Sequence, residues 1–296
     1  MKWYLVFPLL SSVLYVVGVL LIKRAGDFRV GVWRTTFVSN VVAGIAFLAL
    51  LPMGGTWQWD RWYEPVATAL LFLAGQVLTF LALDVGDVSI ATPTMGTKTI
   101  LVAWLSVSLL AVEIPWQLWA SAVMTFVAIA LLSYRRRGGL EPEAPSKVGR
   151  TIFISALAAG CYSLFDVLVQ KWAPGWGAGR FLPLVFGVCA VLSGGFVPLF
   201  SAPLRAIPRE AWPWLGGGAI FIALQALSLV STTAIFGDAT SINVVYSSRG
   251  LWSVVAVWVV GHWFGNQERH LGAEVIRLRF IGAALMTAAI VVTLLR

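Results

Sequence analysis

Charge is scarce in this sequence. Only 11% of its 296 residues are Asp, Glu, Lys or Arg, whereas 59% are hydrophobic. A soluble domain carries about 25% charged residues, so the composition excludes an ordinary soluble fold and indicates an integral membrane protein. The formal net charge is +8, but the basic residues cluster at the ends of hydrophobic runs. In that position they set membrane topology, and no nucleic-acid partner is expected.

Residues that carry catalytic or metal chemistry are also few. The two cysteines, Cys161 and Cys189, fall inside predicted helices, and the two histidines have no metal-ligand spacing. We therefore expect no disulfide framework and no metal site. The chain also lacks a Walker A loop and the H-E-x-x-H and G-x-S-x-G sequences. These absences argue against an ATP-driven step, an enzymatic activity and a bound cofactor.

Long hydrophobic runs dominate the rest of the sequence. A membrane-spanning helix needs about 20 apolar residues, and these runs are too long and continuous for the strands of a membrane barrel. The predicted fold class is an all-α integral membrane protein with ten transmembrane helices. The ten runs cover residues 3–22, 33–52, 66–84, 88–111, 115–134, 151–170, 181–200, 212–233, 238–263 and 278–295.

The ten predicted helices form two similar sets of five. Gly86-Asp87 and Lys98 match Gly237-Asp238 and Arg249 at a shift of 151. Further pairs follow in the same order, namely Lys23 with Lys171, Arg34 with Arg180, Gln76 with Gln225, and Glu113 with Glu274. Because five is odd, the second set would enter the membrane in the opposite orientation. We therefore predict two inverted five-helix repeats, 1–134 and 151–296, joined by a basic linker, 135–150.

This layout resembles the drug/metabolite transporter superfamily, and within it the EamA-type transporters. The resemblance rests on the 5+5 arrangement, a basic residue closing helices 1 and 6, and an arginine opening helices 2 and 7. It implies a central cavity lined by helices 1, 3, 4, 6, 8 and 9, with helices 5 and 10 at the periphery. It also implies cytoplasmic termini. The basic residues favour the reverse, because 14 lie on the opposite side and 5 on the side of the termini.

Two cations lie within predicted spans, at matching positions. At the centre of a span a charge costs roughly 2.5–3.5 kcal/mol, so Lys98 and Arg249 need a compensating partner. One interpretation is that they bind the carboxylate or phosphate of a substrate, for which arginine is well shaped. The alternative is a structural ion pair with a carboxylate such as Asp166, or hydrogen bonds to backbone carbonyl groups.

Other polar residues in these spans are candidates for substrate contacts or for ties between helices. Tyr246, Arg249 and Ser253 share one helix face. The candidate substrate-binding residues are Lys98, Arg249, Gln76, Gln225, Asn243, Tyr246, Ser253, Tyr15 and Tyr162. Asp166 is a candidate for proton coupling or for a salt bridge. Tryptophans near span ends are expected to anchor the helices at the lipid interface. They are Trp57, Trp59, Trp62, Trp172, Trp176, Trp212 and Trp214.

The predicted function is secondary active transport of a small metabolite by alternating access, with a carboxylate- or phosphate-bearing substrate favoured. The expected setting is a multi-pass protein of a bacterial inner (cell) membrane. The expected partners are that substrate, the lipid bilayer and a coupled proton, and the chain is expected to be a monomer or a homodimer. Two alternatives stay open: a lipid or lipophilic-drug translocator, whose cations would bind a headgroup, and a non-transporting membrane scaffold or receptor.

Overall fold

All regular structure in the described part of the chain is helical. The computed structural model describes residues 2–85, 88–133, 145–260 and 273–295, and no strand occurs within these ranges. The α-helices are α1 (Val6–Gly26), α2 (Val32–Phe47), α3 (Tyr63–Val85), α4 (Val88–Gly96), α5 (Lys98–Leu110), α6 (Trp116–Leu132), α7 (Pro145–Trp176), α8 (Ala178–Leu192), α9 (Trp212–Phe236), α10 (Ala239–Tyr246), α11 (Arg249–Val260) and α12 (Ala273–Leu294).

Seven helical segments are long and apolar enough to cross a membrane. They are Trp3–Gly26, Val32–Met53, Trp59–Leu83, Lys147–Trp176, Ala178–Leu199, Arg209–Phe236 and Arg277–Leu294. Two of them extend α2 and α8 by the 3₁₀ helices Leu48–Met53 and Ser193–Leu199. The shorter apolar helix Trp116–Leu132 occupies the fifth predicted span. These helices fit the predicted all-α membrane fold.

Two predicted spans are each divided into two helices, where uninterrupted helices were expected. α4 ends at Gly96 and α5 begins at Lys98, while α10 ends at Tyr246 and α11 begins at Arg249. The two breaks lie at matching positions, since 97 plus 151 is 248. The two matched cations are therefore the first residues of the second half-helices.

A hydroxyl side chain lies at each break and bonds to the backbone. Thr97 donates its hydroxyl to the carbonyl oxygen of Thr94 at 2.7 Å, and Ser247 donates to that of Asn243 at 2.8 Å. Such local bonds compete with the regular helical ladder and bend or interrupt it. The same type of bond occurs at Ser163 and Thr232 inside the unbroken α7 and α9, so these bonds accompany the breaks without determining them. The sequence predicted continuous spans because apolar residues continue on both sides of each break.

By packing, the described chain forms two compact units, and neither is a contiguous half of the sequence. The first unit is Met1–Leu5, Ala74–Val167 and Asp238–Arg296, and the second is Val6–Leu73 and Leu168–Gly237. In the first unit α6 packs against α4, α5 and α12, and α10 packs against α5. In the second unit α9 packs against α1 and α2, and α2 also packs against α8. Each unit draws on both predicted repeats.

Some predicted features lie outside the described residues. They are Gly86 and Asp87 of the first matched motif and residues 135–144 of the predicted linker. The last part of that linker, 145–150, forms the start of α7.

Matched arginines tie connections together inside the second unit. Arg34, near the start of α2, donates to the carbonyl oxygen of Pro203 at 3.5 Å and to the hydroxyl of Ser201 at 3.3 Å. Arg180, near the start of α8, donates to the carbonyl oxygen of Leu51 at 3.3 Å and lies 5.2 Å from the ring of Trp57. Arg34 at the start of α2 therefore contacts the chain that follows α8, and Arg180 at the start of α8 contacts the chain that follows α2.

Matched glycines precede the same two helices. Gly31 and Gly177 are the N-cap residues of α2 and α8, with φ of 79° and 81°. Each stands three residues before its arginine. A backbone with φ in this range favours glycine, because a Cβ would clash with the chain. A Cβ on Gly177 would also lie 2.8 Å from the Cα of Gly55.

A buried carboxylate lies at one end of the second unit. Glu64 is 1% exposed, accepts a hydrogen bond from the indole of Trp176 at 2.8 Å and pairs with Arg61. Trp176 is also 1% exposed, so the expectation that it anchors the chain at the lipid interface is wrong. Its indole N–H needs an acceptor once it is buried, and Glu64 supplies one.

The glycine requirement can be tested by Gly177→Ala. We expect it to lower the free energy of unfolding by about 1–3 kcal/mol, because alanine rarely adopts this backbone conformation. The measurement is unfolding of the purified protein in detergent. The matched control is Gly216→Ala in α9, where an added Cβ meets nothing within 4 Å, and where alanine should leave stability unchanged or raise it. Equal losses in both variants would contradict the interpretation.

Candidate functional site

The first unit brings Lys98 and Asp166 together. Lys98 opens α5 and Asp166 lies in α7, and the Nζ and Oδ2 atoms are 2.8 Å apart. The lysine and aspartate side chains are 17% and 7% exposed. At an effective dielectric constant of about 20, charges this close attract by about 6 kcal/mol, which offsets part of the cost of removing them from water. This pair is the structural alternative predicted for Lys98.

Asn243 joins a third helix to the same carboxylate. Its side-chain amide, on α10, donates to Asp166 Oδ2 at 2.8 Å and to the carbonyl oxygen of Ala239 at 2.9 Å. Both partners of Asp166 thus use Oδ2, and within the described ranges Oδ1 accepts no hydrogen bond. Asn243 is 3% exposed and Asp166 is 5% exposed. The carboxylate is therefore a buried junction of α5, α7 and α10.

Tyr162 and Ser163, on α7, both contact Lys98 at the start of α5. The Nζ atom of Lys98 lies 5.7 Å from the centre of the Tyr162 ring, a distance at which an aromatic face attracts a cation. The hydroxyl of Ser163 donates to the backbone carbonyl oxygen of Lys98 at 3.2 Å. Gly75 makes room for the tyrosine, because a Cβ there would lie 3.0 Å from the Tyr162 ring.

Arg249 is the first residue of α11 and contacts Tyr246, the last residue of α10. Its Nη1 atom donates to the Tyr246 hydroxyl at 3.1 Å, and its guanidinium carbon lies 4.7 Å from the centre of that ring. The hydroxyl of Ser253 donates to the backbone carbonyl oxygen of Arg249 at 2.7 Å. Tyr246 lies one turn beyond Asn243 on α10. Polar side chains therefore continue from Lys98 and Asp166 through Asn243 to Tyr246 and Arg249.

The predicted site residues fall into two groups. The first unit holds Lys98, Asp166, Asn243, Tyr162, Tyr246, Arg249, Ser253 and Gln76. Gln76 is half-buried on α3, and contacts join the others as described above. Tyr15 and Gln225 belong to the second unit, on α1 and α9, where Tyr15 is half-buried and Gln225 is 7% exposed.

Asp238 fixes the start of α10, a role that the repeat motif alone does not suggest. It lies in the connection between α9 and α10 and accepts a hydrogen bond from the Ser241 amide at 3.2 Å. Lys2 and Tyr4 each donate to its Oδ2 at 2.6 Å. Burial raises the pKa of the Asp238 carboxyl, but the hydrogen bonds from Lys2 and Tyr4 outweigh it and hold the pKa below its usual value. The spacing of Asp238 and Ser241 is the signal of a helix N-cap.

Comparison with known proteins supplies the family. The model of the EamA-like transporter family matches residues 1–134, the whole of the first predicted repeat. This part of the chain belongs to that family. The family is a branch of the drug/metabolite transporter superfamily, so the predicted resemblance is confirmed. Together with the apolar helices, the match over residues 1–134 indicates an integral, multi-pass membrane protein.

A solved structure extends the likeness to the whole fold. A crystal structure described only as "Crystal structure of protein" is similar with a TM-score of 0.75 at 17% sequence identity. The similarity covers 100% of this chain and 97% of the other. The TM-score establishes a shared fold, and an identity this low says nothing about the substrate. No curated protein sequence matches the chain.

The buried ion pair can be tested by a double-mutant cycle. We expect Lys98→Met and Asp166→Leu each to lower the free energy of unfolding by about 3–5 kcal/mol, because each leaves one buried charge alone. The double variant should lose much less than the sum, since no charge is left unpaired. The measurement is unfolding in detergent of the wild type and the three variants. Additive losses would show that the two charges do not interact.

Proposed function

We propose that this EamA-like protein is a secondary active transporter that moves a small carboxylate- or phosphate-bearing metabolite by alternating access. The observation that carries the proposal is the placement of the matched cations. Lys98 and Arg249 each begin the second half of an interrupted helix. The N-terminus of a helix carries a partial positive charge. In transporters with broken helices such ends point at anionic parts of the substrate. At these two breaks the amides of Ile100 and Gly250 donate to the carbonyl oxygens of Thr97 and Ser247, so the cationic side chains supply the main attraction.

The proposal includes ten transmembrane helices in two inverted five-helix repeats. Three observations support this arrangement. The breaks in α4/α5 and α10/α11 are related by the same shift as the cations. Arg34 and Arg180 make reciprocal contacts within the second unit. The family match ends at residue 134, where the first repeat is predicted to end.

Each site residue of the first unit has a proposed role. Lys98 and Arg249 would hold the anionic group. On binding, the ammonium of Lys98 would leave the Asp166 carboxylate and pair with the substrate instead. Asn243 contacts the carboxylate that pairs with Lys98, and Tyr246 contacts Arg249. These two residues would select among substrates by hydrogen bonding and shape. We assign supporting contacts to the remaining candidates of the first unit, which are Tyr162, Ser253 and Gln76. Gln225 and Tyr15, in the second unit, stay predictions from the sequence.

We further propose that the protein works in a bacterial inner membrane, as a monomer or homodimer and without a cofactor. The family consists of transporters, and we propose no enzymatic activity for the chain.

A thermal-shift screen of the purified protein against a metabolite library tests this function. We expect stabilisation by carboxylates or phosphates, because a ligand at 100 times its Kd stabilises the native state by about 2.7 kcal/mol. Arg249→Gln and Lys98→Gln should each abolish that stabilisation. Arg24→Gln is the matched control, because Arg24 is 42% exposed and pairs with Asp27 outside the site. Accumulation of the stabilising compound in proteoliposomes should follow the same pattern.

Other results would redirect the assignment. Stabilisation by amphiphiles that survives both site substitutions would favour a lipid or lipophilic-drug translocator. Binding without accumulation would favour a receptor, and the absence of any stabilising compound would favour a scaffold.

A further inference from the structure

We propose that an anion bound at Lys98 carries one proton with it, and that Asp166 is the residue that accepts this proton. The inference rests on the proposed function, since it takes Lys98 as a substrate-binding cation. It adds the coupling ion, the residue that carries it and the ratio of one proton to one anion.

The first step is the occupancy of Lys98. Its ammonium group lies 2.8 Å from Asp166 Oδ2, so an incoming anion must take the place of that oxygen or crowd beside it. Two negative groups around one ammonium lie within about 4–6 Å of each other, a range in which like charges strongly disfavour joint ionisation. The anion and an ionised Asp166 therefore compete for Lys98.

The second step is the charge around Asp166. Three packed elements face it: α5 with the ammonium of Lys98, α10 with the neutral amide of Asn243, and its own helix α7 with the phenol of Tyr162 one turn away. Asp166 and Asn243 are 5% and 3% exposed, so water screens the group poorly. In the free protein the carboxylate is paired with the ammonium of Lys98. An anion that takes Lys98 leaves the Asp166 carboxylate buried without that partner, and a proton on Asp166 removes the unpaired charge.

The third step is where the proton goes. The described residues donate to Asp166 only through Oδ2, which leaves Oδ1 to take a proton from solvent. The Asn243 amide can keep its hydrogen bond to Oδ2, so the neutral carboxyl stays in place when Lys98 turns to the anion. Lys98 remains an ammonium throughout, and the only bond formed is between the proton and Oδ1.

The ratio follows from an asymmetry between the repeats. Gly18 occupies the position in the first repeat that matches Asp166 at a shift of 148. Among the residues that the structure describes, Asp166 is the carboxyl group that pairs with Lys98, and we infer one proton for each anion.

Calorimetry on the wild-type protein in detergent tests the linkage. The probes are benzoate and methyl phenyl phosphate, which both stay monoanionic between about pH 6 and 9. The binding heat measured in PIPES and in Tris should differ by the ionisation heat of about one proton taken up per anion. Kd should rise with pH, because an anion that binds together with a proton binds more weakly as protons become scarce.

Variants identify the proton acceptor. Asp166→Asn should bind with unchanged or higher affinity, take up no proton and show a Kd that does not depend on pH. Asp27→Asn, at an exposed carboxylate 59% accessible, should retain the wild-type linkage.

The outcomes separate this inference from the proposed function. Saturable binding of either probe with equal heats in both buffers and a flat pH profile would overturn the proton linkage and keep the anion site. Failure of the wild type to bind either probe saturably would overturn both. Proton uptake that persists in Asp166→Asn would overturn the assignment to Asp166. If that variant does not fold, the buffer comparison on the wild type tests the proton uptake, and Asp166→Glu tests the acceptor. Glutamate keeps an ionisable carboxyl group, so it should keep the uptake with a displaced pH profile, and a profile identical to that of the wild type would overturn the assignment to Asp166.

Discussion

A charge buried away from water must be paired, and this constraint organises the first unit. Lys98 satisfies it with Asp166, and Asp166 in turn takes the amide of Asn243, so one carboxylate oxygen joins α5, α7 and α10. Removing either charge would leave the other unpaired in a region of low dielectric constant. The same requirement makes the pair responsive, because a third charged group cannot approach it without altering one of the two.

Much of the fold follows from composition and spacing, because lipid demands long apolar helices with their backbone bonds satisfied internally. The matched cations and the multi-pass character could be predicted in that way, and the layout of the basic residues supplied the resemblance to the EamA-type transporters. The helix breaks at Thr97 and Ser247 could not be predicted, because apolar residues continue on both sides of each break. The pairing of Lys98 with Asp166 spans 68 positions, and only tertiary structure selects it from other polar contacts. The interfacial position predicted for Trp176 was wrong for a similar reason, because its buried indole donates to Glu64, 112 positions away in the sequence.

The packing units give the predicted repeats a physical meaning. The second unit contains α2 and α8, one from each repeat, and their arginines hold each other's following connections. The first unit contains both broken helices. Each packing unit therefore combines elements from both predicted repeats, so the compact units do not coincide with the repeats predicted from the sequence.

The two predicted repeats match in the positions of their helix breaks, but they differ in the side chains that contact the matched cations. Both broken helices resume at a cation, yet Lys98 faces a carboxylate while Arg249 donates to the phenol of Tyr246. The difference originates at Gly18 and Asp166, where matching positions hold no side chain in one repeat and an acid in the other. An ammonium held by a carboxylate can be released by one proton, whereas a guanidinium beside a phenol does not depend on that acid. Two chemically unequal ends thus arise within one repeated backbone design, and an anion lying between them would meet a proton-dependent contact at one end alone.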